Sequence, residues 1–179
     1  MSIIAFKITE HKVQVAADGR TLSGDKICRE NAKKIKKISD SLIIGITGMA
    51  DSNGIFEKFA LENQNDFETL SNETDGLVLM KKFRDYLKEN YGYDDNSIKD
   101  LGGFLIANKT FLCVYYFSSD CLPYSGLCEN DTKSGSFGSS SEYTTALIDC
   151  GIDIKEAIKM SAKKYNSIND NVTILEIER

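Results

Sequence analysis

The stretch Leu42-Ile43-Ile44-Gly45-Ile46-Thr47-Gly48 decides the fold. No charge interrupts it, and it is too apolar for a strand with one face in water. It suits a central strand covered on both faces and closed by Gly48. Just upstream lies the lysine-rich run Lys33-Lys34-Ile35-Lys36-Lys37-Ile38, ending in a Ser39-Asp40-Ser41 turn. Further back, Ile3 to Ile8 and Val13 to Asp18 are β-rich runs around the polar turn Thr9-Glu10-His11-Lys12, and they read as a hairpin. Thr21 to Asp25 reads as a polar loop.

Downstream the period changes. Ile55, Phe56 and Phe59 follow helical spacing, and Leu77, Met80, Phe83, Leu87 and Tyr91 follow it more strongly. Strands return at Gly103 to Ala107 and Thr110 to Phe117 around the turn pair Asn108-Lys109. Ser118 to Gly135 holds Pro123, the chain's one proline, and several turn residues. Two more helices follow. One carries Tyr143, Ala146, Leu147 and Cys150; the other starts at Asp153, an N-cap candidate with Glu156 three residues on. Val172 to Ile177 alternates as a closing strand. Pairs of strands followed by pairs of helices predict an α+β protein: two antiparallel sheets stacked face to face, each covered outside by two helices. This four-layer αββα sandwich is expected as a single domain over residues 1–179.

Composition narrows the function. Of 179 residues, 41% are apolar and 27% charged, and 22 Lys+Arg against 27 Asp+Glu leave a net charge of −5. A nucleic-acid binder needs a positive field, so the stripe Lys26, Arg29, Lys33, Lys34, Lys36 and Lys37 does not carry that reading. No apolar run reaches the ~18 residues of a membrane helix. The segment Met1 to Lys7 lacks the pattern of a secretory signal, so a cytoplasmic location is expected. The five cysteines are odd in number and none are spaced C-x-x-C, which predicts reduced thiols. With His11 the sole histidine, no zinc site or other metal site is expected. His11 also sits in a polar turn, so a serine or cysteine triad lacks its base. A hydrolase built on this chain needs another proton acceptor.

Three positions stand out near the N-terminus. Ser2, Asp18 and Lys34 are individually unremarkable: a Met-Ser start, a turn dipeptide Asp18-Gly19, and one lysine of a run that could be a solvated face. Together with their surroundings they resemble the proteasome-type N-terminal nucleophile hydrolases, HslV-like peptidases and proteasome β-subunits among them. The resemblance rests on Ser2-Ile3-Ile4-Ala5, Ala16-Ala17-Asp18-Gly19-Arg20 with Gly24, and Asn31-Ala32-Lys33-Lys34-Ile35. It extends to Ile43-Ile44-Gly45-Ile46-Thr47-Gly48 with Met49-Ala50-Asp51, and to Phe137-Gly138-Ser139-Ser140-Ser141-Glu142-Tyr143. It is strong over the first 50 or so residues and thin from Phe67 to Gly135.

The resemblance implies a mechanism. Removal of Met1 would expose the α-amine of Ser2, which titrates near pH 8 and can serve as the base its hydroxyl needs. Lys34 would lower the amine's proton affinity as a neighbouring cation, with Asp18 fixing it. The backbone N–H of Gly48 would hold the oxyanion, with a tight connector as its other reading. Ser139 would stand beside the terminal amine, with helix N-capping as its other reading. Arg20, Thr21 and Met49 would line the substrate groove, Arg20 favouring an acidic or polar side chain.

Further expectations follow from the family: a polypeptide substrate and a homo-oligomeric ring, hexameric or heptameric and stacked in pairs. They also include an ATP-driven unfoldase partner, since no Walker-type loop occurs in this chain; no cofactor of the chain's own is expected. Two departures stand out. The nucleophile is serine rather than threonine, and Asn166-Ser167-Ile168-Asn169-Asp170-Asn171 replaces the family's aspartate and serine beside the site. A silent ring subunit or binding module, and an amidohydrolase acting on a small amide, are the alternative readings.

Overall fold

The computed structural model describes residues 2–129 and 131–179, with the backbone alone at Ala50 and Asp51. Met1, on which the trimming expectation rests, lies outside the described residues. In chain order the elements are β1 (Ile3–Ile8), β2 (Lys12–Asp18), β3 (Thr21–Ser23), β4 (Lys26–Arg29), β5 (Ile35–Ser39) and β6 (Leu42–Ile46). Helices α1 (Ala50–Glu62), α2 (Gln64–Glu68), α3 (Glu73–Tyr91) and α4 (Asp95–Lys99) follow. Then come β7 (Phe104–Asn108), β8 (Leu112–Phe117), β9 (Pro123–Cys128), β10 (Ser134–Gly138), α5 (Ser141–Asp149), α6 (Ile154–Lys164) and β11 (Val172–Glu178).

Two antiparallel sheets carry the fold. One has the order β10-β1-β2-β11 and the other β5-β6-β7-β8-β9. Strand alternation sorts the side chains into three cores. Ile4, Phe6, Val13 and Val15 meet Ile43, Leu105, Leu112 and Val114 between the sheets. The opposite face of β6, Leu42, Ile44 and Ile46, packs under α1 and α3 through Phe56, Phe59, Met80 and Phe83. The opposite face of β1, Ile3 and Ala5, packs under α5 and α6 through Ile148, Ile154, Ala157 and Ile158. The layers are therefore α, β, β, α, as the strand and helix pairing predicts. The run at Leu42–Ile46 is buried at every position, which is why it carries no polar alternation.

Two stretches differ from their sequence reading. Thr21 to Asp25 is part of a small hairpin, β3 paired with β4, not an open loop. Its β4 strand is exposed throughout, so no hydrophobic alternation marks it. The turn-rich segment after Ser118 contains β9, which completes the five-stranded sheet beside β8. The β8–β9 register sets Cys113 opposite Cys128 with Cα atoms 4.2 Å apart, and the two form a disulfide. The expectation of reduced thiols is corrected for this pair; Cys28, Cys121 and Cys150 are free. Among the described residues no helix is long and apolar enough to cross a membrane.

Candidate active site

The site lies at one end of the two stacked sheets, where β1 begins and β2 and β6 end. Pairing of β1 with β2 in register Ile4↔Ala17 brings the start of the chain beside Asp18. Asp18 is buried, and every contact it makes organises the neighbourhood. Its Oδ1 accepts from the Ile3 N–H at 2.9 Å and from the Lys34 Nζ at 2.6 Å. Its Oδ2 accepts from the Arg20 N–H at 2.9 Å, closing the turn after β2. One carboxylate thus ties together the residue after Ser2, the lysine and the turn.

Lys34 is no surface charge. Its side chain is 4% exposed and that of Asp18 is 0% exposed. Burial pushes the Lys34 ammonium below the ordinary lysine range, while the charge and hydrogen bond of Asp18 oppose that shift. The run around it splits by strand geometry. Lys36 pairs with Glu57 on α1, and Lys37 turns outward to Asp40. Lys33 and Lys36 line the cleft with Lys34.

Ser2 is itself buried, with 6% exposure. Its carbonyl accepts from the Ser139 N–H at 2.7 Å. Gly138 makes that contact possible: its φ is +100°, and a Cβ there would sit 2.1 Å from the Ser2 oxygen. Ser139 therefore reaches Ser2 through its backbone. The N-cap of α5 is Ser140, in left-handed backbone and without a side-chain capping bond, so the capping reading of Ser139 is corrected.

Gly48 lies between β6 and α1. Its φ is +114°, and a Cβ would fall 2.1 Å from the Leu101 carbonyl oxygen. The flanking amides are both engaged: Thr47 N–H donates to the Gly103 oxygen and Met49 N–H to the Leu101 oxygen. Among the described residues the Gly48 N–H has no such acceptor. It borders the cleft that also contains Ser2. A free donor held by two anchored neighbours suits a developing oxyanion.

The cleft is open, has a volume of about 540 Å³, and is lined by Ser2, Thr21, Lys34, Gly48 and Met49 among others. Arg20 is not part of its lining. Its guanidinium instead bonds the Glu30 carboxylate at 2.9 and 3.1 Å and the Asn166 carbonyl at 2.6 Å. The expected groove role of Arg20 is corrected accordingly: those partners draw it away from the cleft. Among the described residues no group of three or more His, Cys, Asp or Glu is disposed to hold a metal ion.

The sequence pointed to the segment Asn166 to Asn171 beside the site without fixing its register, and its partners were not legible. Asn169 accepts from the Gly19 N–H at 2.9 Å and donates to the Glu30 carbonyl at 2.7 Å and carboxylate at 2.6 Å. It thus clamps the turn after Asp18 from a distance of 150 residues. Arg20, then Asn169, holds the Glu30 carboxyl below the ordinary glutamate range. Asn166 is exposed, and its carbonyl serves only Arg20 among the described contacts. Gly102 packs against this junction, where a Cβ would fall 1.8 Å from the Thr47 oxygen, and a glycine pair before a strand is a signal of such close approach.

The model of the proteasome subunit family matches residues 1–104. The ATP-dependent protease subunit HslV of Caldicellulosiruptor saccharolyticus is 26% identical, the match covering 98% of this chain and 97% of that protein. HslV of Borrelia garinii is also 26% identical, over 99% and 96% of the two chains. Among solved structures, Thiobacillus denitrificans BPH in complex with epoxomicin superposes with a TM-score of 0.75 at 17% identity, covering 98% of both chains. HslV from Trypanosoma brucei gives 0.70 at 15% identity, covering 99% of both. These folds share the αββα sandwich, and with a family model matched over more than half of its length, this chain belongs to the proteasome subunit family.

Proposed function

We propose that the chain is an HslV-like peptidase subunit whose nucleophile is Ser2, exposed as the terminal residue by removal of Met1. The observation that carries this reading is the buried Lys34–Asp18 pair, whose shared Oδ1 also holds the amide next to Ser2. A buried ion pair is costly to desolvate and contributes little net stability. Its place in the cleft that Ser2 also lines suits electrostatic tuning of a base.

The steps follow from the chain's own groups. The freed Ser2 amine takes the hydroxyl proton, directly or through one water. Lys34, held cationic by Asp18, disfavours protonation of the resting amine and keeps it available near neutral pH. The Ser2 oxygen attacks the peptide carbonyl, and the Gly48 N–H receives the charge that develops on the carbonyl oxygen. The amine then returns the proton to the leaving nitrogen, leaving an ester on Ser2 that water cleaves by the same route. Serine supplies a hydroxyl as threonine does, so the departure keeps the nucleophilic group.

The HslV relatives are named ATP-dependent protease subunits. By analogy we place this chain in a homo-oligomeric ring that receives unfolded polypeptide from an ATP-driven unfoldase. The test is a Ser2→Ala variant assayed on unfolded casein and fluorogenic peptides. Loss of turnover with fold and native mass unchanged supports the assignment. Unchanged turnover contradicts it, and a wild type with a free Ser2 terminus that cleaves nothing supports a silent ring subunit.

A further inference from the structure

Charge of one sign surrounds the cleft beside Ser2. Arg29, Lys33, Lys34 and Lys36 line it, and no carboxylate among the described residues does so. This is a local excess in a chain whose net charge is −5. Two of the four cations are neutralised from behind: Lys34 by Asp18, and Lys36 by Glu57 on α1. Arg29 and Lys33 are exposed, and neither forms an ion pair among the described residues.

Both are carried on fixed backbone. Arg29 lies opposite Thr21 in the β3–β4 ladder. The Lys33 carbonyl accepts from Asn53 Nδ2 at 2.6 Å, which ties that segment to α1. Ile46 and Met49 offer apolar surface in the same cleft. A cleft walled by low-dielectric protein and lined by one sign of charge focuses its field on whatever enters. A glutamate or aspartate side chain would gain from Arg29 and Lys33, and arginine can grip a carboxylate with two parallel bonds. A lysine side chain there would meet the like charges of Arg29 and Lys33, and that repulsion adds to the discrimination.

We propose that Arg29 and Lys33 are specificity-determining residues that select polypeptide segments carrying Asp or Glu close to the scissile bond. This rests on the reading of Ser2 as a peptidase nucleophile in the same cleft. The acidic preference that the sequence suggested for Arg20 thus passes to two other residues.

The experiment uses one set of internally quenched peptides, identical except for Glu, Gln or Lys at successive central positions. Turnover is measured on the Ser2-terminated protein, and binding is measured separately by anisotropy on its Ser2→Ala variant. The expected order at the sensitive position is Glu, then Gln, then Lys, with about tenfold in kcat/KM and in affinity between the extremes, shrinking as ionic strength rises. Arg29→Glu with Lys33→Glu should invert the order. Equal binding of all three peptides, or an order unmoved by the double charge reversal, overturns the inference. Glu-selective binding without cleavage by the Ser2-terminated protein overturns the peptidase reading and leaves the cleft's selectivity standing.

Discussion

Lys34 Nζ lies 2.6 Å from Asp18 Oδ1 with both side chains buried, and the same oxygen accepts the N–H of Ile3. The pair is the hinge between fold and chemistry. Removing Lys34 alone leaves a buried, uncompensated carboxylate, so Lys34→Met should cost about 3–5 kcal/mol of stability. It should also lower kcat by orders of magnitude. The double variant Asp18→Asn, Lys34→Met should recover much of the stability and none of the turnover. Lys37→Ala, at an exposed pair with Asp40, should move stability by no more than ~0.5 kcal/mol and leave turnover intact. Thermal melts and peptide assays on the set separate the roles; a Lys34→Met protein with wild-type turnover would contradict the account.

The pH profile reads the same pair differently. In the proposed mechanism the base is the Ser2 amine with Lys34 as its neighbouring cation, so kcat/KM should rise with pH through an apparent pKa at or below 8. Weakening the cation should raise the amine's proton affinity and move the rising limb to higher pH. Lys34→Gln, assayed for its residual activity between pH 6 and 10, checks the direction. A limb that stays in place would mean Lys34 acts only in packing.

Gly48 has no room for a side chain, because a Cβ would fall 2.1 Å from the Leu101 oxygen. Gly48→Ala should therefore displace the one amide at this junction that has no acceptor among the described residues. We expect kcat to fall by about 10²–10³, as for loss of an oxyanion donor, with a smaller change in KM. Equal losses from Gly54→Ala, where a Cβ meets open space, would point to cleft shape instead.

The Glu30 carboxyl is held low by Arg20 and then Asn169. A depressed carboxyl stabilises the folded state above the ordinary glutamate pKa, and that contribution is lost as pH falls through the folded value. The clamp on the Asp18-Gly19 turn should therefore loosen in acid. Exchange protection of the Gly19 amide, which donates to Asn169, should fall once the pH drops below the ordinary glutamate range. Asn169→Ala should lower that protection at neutral pH. Protection unaffected by either change would show that the clamp does not hold the turn.

The sequence made visible what alternates or repeats. Ile3 to Ile8 and Leu42 to Thr47 announce buried strands because burial on two faces leaves a continuous apolar run. Phe83 and Leu87 announce a helix because one face of α3 meets the core. The hairpin β3–β4 stayed hidden because β4 buries nothing. The grouping of Ser2, Asp18, Lys34 and Gly48 came from the family resemblance, since each alone reads as an ordinary start, turn, surface or connector residue. The site was illegible where contacts join distant segments. Nothing near Gly138 reveals that it must admit the Ser2 carbonyl, and nothing near Asn169 reveals Gly19. Arg20 was misassigned because its neighbours in sequence say nothing of Glu30 and Asn166, which draw it away.

The central claim is that the free amine of Ser2 is the base. With Met1 attached, that nitrogen is an amide and cannot accept a proton at any useful pH. The direct measurement compares peptide turnover by two preparations whose termini are verified by mass spectrometry. One retains Met1; the other begins at Ser2 after cleavage of a removable tag. The account predicts no turnover from the first and full turnover from the second, with the same fold and native mass in both. Equal rates from the two preparations would contradict it.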